Sequence, residues 1–496
     1  MAEVTPTPGP FYAVLGVYLV IMAFIGWYAS RRTKSLRDYF VLNGKAGVII
    51  SGIAYATTQY SMGTFLGTPG ALYKMGYAGM GITIPGVAFA MIIPAVLIGR
   101  KLVTLGHERG FLTLSDYLSD RYENKRMSGL IGIMMLCFLI PMMGAQIIGA
   151  GVIVNVFTGL PAWVGVVGMG CIVIIYCMSG GMRGAMMTDV IQGSLMFITA
   201  IVAFILTLKQ GGGLSNLTSS LNGLNSDYMS FPGASGSMTW TYYLSNILLW
   251  SFFTMGQPQL FTKFFAMKDH KTMYRAVLLG TGGMMITALF VLWAGVNGIS
   301  LVPDLKNSDY IIPVILQRGL SPILASVAIA GIVAAGMSTI DGVLITTTSA
   351  ATRDIYQKFI NPKATDNDVM KLSKVVTVLI GIIVIIFGCV KPGSIFTINT
   401  FAFSGMSIFV VPILFGMYWK KATFPGAITA VIAGVITLIC CTKVPAMKAV
   451  IHGFHAVVPA AAVAVVIMVI VSLMTQSMRP SEETLERHMF VNKQKV

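Results

Sequence analysis

Ala335, Ser338 and Thr339 stand at i, i+3 and i+4, a spacing that brings all three to one face of a helix. Two hydroxyls and a backbone carbonyl one turn earlier make a hard-oxygen set, the donor type that suits a hard cation such as Na+. The competing reading is plainer: Ser and Thr in apolar helices also bond back to the preceding turn. Asp341 lies three residues beyond Ser338 and can share that face. Asp189 is the other carboxylate inside an apolar run; the rest of the 18 acidic residues fall in loops or tails. At membrane depth a carboxylate costs roughly 2.5–3.5 kcal/mol, so by default it marks an ion or proton path. Asp189 also admits a structural reading, as a cap of its helix at the interface beside Thr188.

Other chemistries lack their residues. The six cysteines (Cys137, Cys171, Cys177, Cys389, Cys440 and Cys441) fall in or beside apolar runs without metal-ligand or thioredoxin spacing. His452 and His455 have no cysteine or carboxylate companion and read as residues of a helix end. No nucleophile–base pair, Walker pattern or Rossmann pattern is found, so the expectation is a protein that is not an enzyme.

The elements that must position the oxygen set are membrane helices. Of 496 residues 55% are hydrophobic and 10% charged, against about a quarter charged in a soluble domain. Apolar runs fall near 11–29, 48–73, 79–99, 129–157, 161–179, 186–208, 241–262, 276–298, 321–349, 373–390, 394–418, 424–442 and 455–475. Each holds enough residues for a helical span of about 20, and no soluble stretch between them is long enough for its own core. The reading is one all-α membrane domain of thirteen spans over 1–478, followed by a solvated cytoplasmic tail at 479–496, either partly disordered or a short surface helix. Phe11 to Ala29 reads as a retained span, because no basic n-region or cleavage site precedes it. The stretch from Lys209 to about 240 is a polar loop, and 361–368 a turn.

If loops alternate and Arg31 to Arg37 lie in the cytoplasm, 27 of the 34 Lys and Arg fall on that side. That bias is the positive-inside rule. It puts the N-terminus outside and the C-terminus inside, leaves no Lys or Arg deep within a span, and accounts for the net charge of +16 without a nucleic-acid partner. Two spans carry matching punctuation. Span two is rich in Thr and Ser and closes on Gly67-Thr68-Pro69-Gly70, while span seven contains Gly256-Gln257-Pro258. Lying five spans apart, they fit an inverted repeat of spans 2–6 and 7–11 whose first helices are interrupted at an ion site.

At this point the residues resemble the sodium:solute symporter family. The run Tyr176-x3-Gly180-Gly181-Met-Arg183-Gly184-x3-Thr188-Asp189-x2-Gln192-Gly193 resembles its diagnostic signature. Gly256-Gln257-Pro258-Gln259 followed by KFFAMKD resembles its span-seven motif, and Ala335-x2-Ser338-Thr339 its sodium-binding stretch. The texture of spans two and nine is similar to the proline and pantothenate branches.

The resemblance implies a leucine-transporter-type core with one extra span before it and two after. It implies a Na+ site built by span-two carbonyls, placed at Thr57 and Tyr60, with Ala335, Ser338 and Thr339. Asp189 matches a family aspartate on the inner sodium route, and Asp341 stands where a serine of a further sodium site is usual, which points to a second cation or proton path. Candidate substrate contacts are Gln59, Ser61 and Thr64 on span two, Gln146 on span four, and Trp250, Phe253 and Gln257 on span seven. Each of these also has a plain reading as helix packing. The implied function is inward Na+ flow coupled to uptake of a small organic solute such as pantothenate, proline or a similar monocarboxylate. The expected setting is a bacterial plasma membrane, with no obligatory protein partner. A proton-coupled symporter of the same fold, or a transporter-like sensor, are the alternatives.

Overall fold

The computed structural model describes residues 5–32, 37, 41–234, 236 and 238–489, and its regular elements there are all helical. The extended pairing among the described residues is an isolated bridge between Ala46 and Met267. Ten helices are long and apolar enough to cross a membrane. Two interrupted segments, 48–75 and 240–266, and the shorter limb Ala162–Ile175 bring the crossings among the described residues to thirteen, in the expected order.

Spans five and six need one geometric step. Helical backbone extends over Ala162–Gln210, 49 residues, which as one straight rod would measure about 74 Å. Its neighbours on Pro322–Ser349 show that it is not straight. Met169 meets Gly336 and Cys177 meets Asp341, so this limb runs parallel to that helix. Leu195 meets Gly331 and Thr199 bonds the Ala328 carbonyl, so the later limb runs antiparallel. The chain therefore reverses between Cys177 and Leu195, where two spans are expected. Of the signature, the side chains of Tyr176 and Arg183 and the positions Gly180 and Gly181 lie outside what is described. Gly184 packs against Gly26 and Ala29 of span one, Gly193 against Ile53 and Thr57 of span two, and the Gln192 amide donates to the Tyr18 hydroxyl at 3.0 Å. Small residues there let three helices approach closely.

Several helices outrun their apolar cores. Arg126–Thr158 has 33 residues and spans about 50 Å, well beyond the hydrocarbon core of about 30 Å. The N-terminal segment meets its far end, through Thr7 N–H to the Phe157 carbonyl at 2.8 Å. The last helix, Glu482–Met489, meets the short helix Leu114–Arg121 that precedes its near end. The two described termini thus lie on opposite faces.

Two expectations are corrected. Between Lys209 and Trp240, where composition predicts a polar loop, the helix Leu214–Leu224 forms and buries Leu217 and Leu221, four residues apart on one face. The tail is not simply solvated. Leu485 and His488 are fully buried, and His488 stacks beside Phe111 while its Nε2 reaches Asp120 at 2.8 Å. Ser481 and Thr484 donate hydroxyl hydrogens to the Glu123 carboxylate. The seven residues 490–496 are outside the described set.

Candidate functional site

Span two is broken, but not at its Gly-Thr-Pro-Gly run. The helix Val48–Thr57 ends where Thr57 and Thr58 both turn their hydroxyls back to the Ala54 carbonyl, at 3.1 and 2.7 Å, contacts that loosen the last turn. Residues 58–61 leave the helix, and a π-turn Gly63–Gly67 leads into Thr68–Met75. Gly67 and Pro69 instead serve packing, the former against Ile395 and Phe396, the latter against Gly295. Span seven breaks where expected. After Trp240–Phe252 and the tight turn Phe253–Gly256, Gln257 is extended and Pro258 opens Pro258–Ala266. The residue before a proline is pushed out of the helical region, and a proline at a helix start gives up no hydrogen bond. At Gly256 a Cβ would stand 1.8 Å from the Met406 carbonyl, so only glycine lets this turn seat on span eleven, Ile395–Tyr418.

The break in span two meets the Ser-Thr pair of span nine. Thr339 donates its hydroxyl to the Tyr60 carbonyl at 2.5 Å and lies 3.0 Å from the Ala335 carbonyl. Ser338 Oγ is 3.2 Å from the same Ala335 oxygen. Tyr60, Ala335, Ser338 and Thr339 therefore present four oxygens at one junction of two helices, buried and uncharged. The back-bonding reading and the shared-face reading are both realised, since the Thr339 hydroxyl reaches its own turn and span two together. Thr57 ends the preceding helix, where carbonyls lose their intrahelical donors. Its side chain lies against Asp189.

Asp189 is not a helix cap: the helical run begins well before it and its side chain is buried. It pairs with Lys263 Nζ at 2.7 Å, both side chains about 5% exposed or less. Lys263 stands in the last turn of its half-helix rather than deep within a span, but it is buried against the bundle, which its assignment to a loop at 263–275 did not anticipate. Lys263 follows the span-seven break by five residues, and the second half-helix carries it inward. Asp341, one turn past Ser338, accepts from Cys177 Sγ at 3.1 Å and is also buried. Lys263 and Cys177 were both invisible to spacing arguments, because their partners lie 74 and 164 residues away.

Beside the junction lies a cavity lined by Gln59, Ser61 and Thr64 from the break, Trp250 and Phe253 from span seven, and Asn399 and Phe403 from span eleven. Phe253 and Phe403 stack with centroids 4.2 Å apart, and Trp250 stands edge-on to both. Gln59 Nε2 donates to Gln257 Oε1 at 2.9 Å, joining the two broken helices. Among the described residues no Lys, Arg, Asp or Glu lines this cavity. Gln146 is placed elsewhere: its Oε1 accepts from Met62 N–H at 2.7 Å and its Nε2 donates to the Met142 carbonyl. It serves the break by satisfying a backbone donor that the helix gave up.

Two interrupted helices five crossings apart, facing an oxygen-lined junction and a neutral cavity, define a secondary transporter of the leucine-transporter type. The chain matches the Sodium:solute symporter family over residues 39–434 and belongs to it. It is 31% identical over 440 residues to a sodium/pantothenate symporter of Haemophilus influenzae, covering 86% of this chain and 89% of the relative. It is 28% identical to a sodium/pantothenate symporter of Escherichia coli, over 90% of this chain and 92% of that one. An osmoregulated proline transporter of Bacillus subtilis is 25% identical, over 94% and 95%. In fold it is similar to a Na+-coupled sialic acid symporter in a substrate-bound outward-open state. The TM-score there is 0.80 at 20% identity, over 94% of this chain and 98% of that one. The protein is a sodium-coupled solute symporter of the membrane, with Na+ as the coupling ion.

Proposed function

We propose that this symporter carries pantothenate or a closely related monocarboxylate into a bacterial cell across the plasma membrane. The observation that carries the reading is the neutral cavity, built from two broken helices and an aromatic wall, beside the oxygen junction of Tyr60 with Thr339. A solute with a branched apolar body and a few neutral polar groups suits that lining, and the pantothenate symporters among its relatives support it. Na+ is held by the carbonyls of Thr57, Tyr60 and Ala335 with the hydroxyls of Ser338 and Thr339, joining spans two and nine. The solute docks on Gln59, Ser61, Thr64, Trp250 and Phe253, with Gln257 supporting Gln59; Gln146 is a scaffold residue outside this set. Spans 2–6 and 7–11 act as two inverted repeats that rock around the site. Na+ leaves past Asp189 and Asp341 toward the face that carries the tail, which is cytoplasmic; the N-terminus is outside. No covalent chemistry and no obligatory protein partner are involved.

The test is uptake by proteoliposomes holding the purified protein, offered labelled pantothenate and labelled proline at fixed membrane potential. Pantothenate accumulates only with an inward Na+ gradient. Losing one oxygen ligand to a charged group is worth about 1.5–3 kcal/mol, so Ser338→Ala or Thr339→Ala raises the half-saturating Na+ concentration roughly 10- to 100-fold. Unchanged sodium dependence in both variants would refute the ion site, and proline accumulation without pantothenate would refute the solute.

A further inference from the structure

Most polar groups around the solute cavity already have protein partners. Gln59 is bonded to Gln257, and Ser61 and Thr64 exchange hydrogen bonds between their hydroxyls and each other's backbone N–H groups at 3.3 Å. Asn399 differs. It stands on span eleven, is 4% exposed, and lines the cavity. Among the described residues neither its Oδ1 nor its Nδ2 has a hydrogen-bond partner. A buried polar group left unpaired is costly, and an amide carries several such groups at once. An apolar residue of similar volume would remove that cost, so the amide is retained for a partner that is not part of the chain.

Its approach is also protected. A Cβ added at Gly63, in the π-turn beyond the break, would stand 2.4 Å from Asn399 Nδ2 and 2.9 Å from Ser61 Oγ. Glycine there keeps the amide against the interrupted stretch of span two, next to the hydroxyls of Ser61 and Thr64.

We propose that Asn399 is a specificity-determining residue that reads a secondary amide in the solute, accepting the solute N–H on its Oδ1 and leaving its Nδ2 to donate to a neighbouring oxygen of the same solute. This rests on the proposed uptake of a small monocarboxylate at this cavity and names the solute class more closely: a carboxylate joined through an amide to a branched, mostly apolar body. A carboxamide offers one acceptor and two donors in a plane; a trans secondary amide turns its N–H and C=O to opposite sides, so the Asn399 Oδ1 meets the N–H and its Nδ2 is free for a separate hydroxyl or carboxylate oxygen of the solute. A free amino acid fits less well, because it brings an ammonium group as well as a carboxylate to a lining whose described residues carry no charge, whereas this solute brings one charge only.

The experiment compares pantothenate with its ester analogue, in which oxygen replaces the amide N–H, as competitors of labelled pantothenate uptake in Na+-driven proteoliposomes. The wild-type protein prefers the amide by about tenfold, the discrimination expected of a site that leaves a buried acceptor unpaired when the donor is missing. In Asn399→Leu the KM for pantothenate rises and the ester competes as well as the amide, while the half-saturating Na+ concentration stays unchanged. Gly63→Ala shifts discrimination in the same direction. Thermal stability in detergent without solute holds or rises in Asn399→Leu, whereas a merely structural amide would lower it. Retained amide preference in Asn399→Leu, or no preference in the wild type, would overturn the proposal while leaving pantothenate uptake standing. Absence of Na+-driven pantothenate uptake in the wild type would instead overturn the solute reading, and this assignment with it.

Discussion

Lys263 and Asp189 are the pair whose meaning changes most between sequence and structure. Counted by position, Lys263 is one of many basic residues that follow a span; in the fold it is buried beside Asp189, 2.7 Å away. Removing one member of a buried ion pair leaves the other charged and unsolvated, at a cost of about 3–5 kcal/mol, whereas replacing both by neutral residues is often tolerated. Lys263→Met and Asp189→Asn should each lower the unfolding temperature in detergent sharply, and the double variant should recover most of the loss. Additive losses in the double variant would show that the two side chains do not stabilise one another. The double variant also separates folding from transport: it should fold, yet release Na+ more slowly, because the carboxylate on the inner route is gone. Asp341 was legible as a buried carboxylate because an isolated acid in an apolar run stands out. Asn399 was legible in principle by the same logic, as the single amide in the apolar run of span eleven. An amide costs less to bury than a charge, so its signal is weaker, and only the absence of a partner in the fold reveals it.

At the scale of elements both interruptions were legible, span seven from its own residues and span two only through the resemblance that placed its open carbonyls at Thr57 and Tyr60. Pro258 and Gly256 mark the span-seven break directly, through a missing N–H and a close backbone approach. In span two the break falls where two threonine hydroxyls share the Ala54 carbonyl, a feature that Thr and Ser content hints at but that composition alone does not position. The tail was misjudged for another reason. Its charges look solvated in the sequence, yet they answer charges on the loop before span four: Asp120 faces His488, Arg487 and Arg109, and Arg121 lies close by. Burial lowers His488 below its ordinary value of 6.5, although Asp120 opposes the effect. Burial would raise Asp120, but His488 and Arg109 hold it at about 2 rather than 3.8. For His488, a released tail binds a proton more readily than a docked one, so docking weakens as pH falls through and below 6.5. For Asp120, the docked state is favoured above about 3.8 and that share is lost toward pH 2. Both signs agree. Hydrogen exchange at the amides of 482–489, corrected for intrinsic rates, should therefore speed up between pH 7.5 and 5.5. The rise can be no more than about tenfold per pH unit, the limit for a single proton. His488→Phe keeps a ring beside Phe111 and Tyr117 and should abolish the dependence. Equal protection at both pH values in the native protein would exclude the histidine as its cause.

For the whole molecule, the number and order of crossings followed from hydropathy, because every backbone group in a bilayer must be satisfied within a helix. What hydropathy could not supply was which crossings touch: span nine packs against spans one, two, four and both limbs of the reversed helix, and that adjacency brings Asp341 to Cys177 and Thr339 to Tyr60. The direction of insertion is a matter of charge. Helix Arg126–Thr158 separates a face bearing Arg109, Arg121, Arg353, Lys358 and Arg479 from one bearing Lys306 and Arg318. On the first face much of the basic charge is tied up in structure. Arg121 donates to the Gly416 and Trp419 carbonyls, and Arg353 and Lys358 hold Asp116 at 3.0 and 2.5 Å. Those roles do not weaken the topogenic argument, since orientation is decided by charge near the span ends as the chain inserts, before tertiary pairs form. The face that carries the tail should therefore be cytoplasmic. Green fluorescent protein fused after Val496 should fluoresce, and alkaline phosphatase fused at the same point should be inactive. The reverse pattern would invert the molecule, placing the Asp189–Lys263 pair on the route by which Na+ enters and the aromatic wall on the route by which solute leaves.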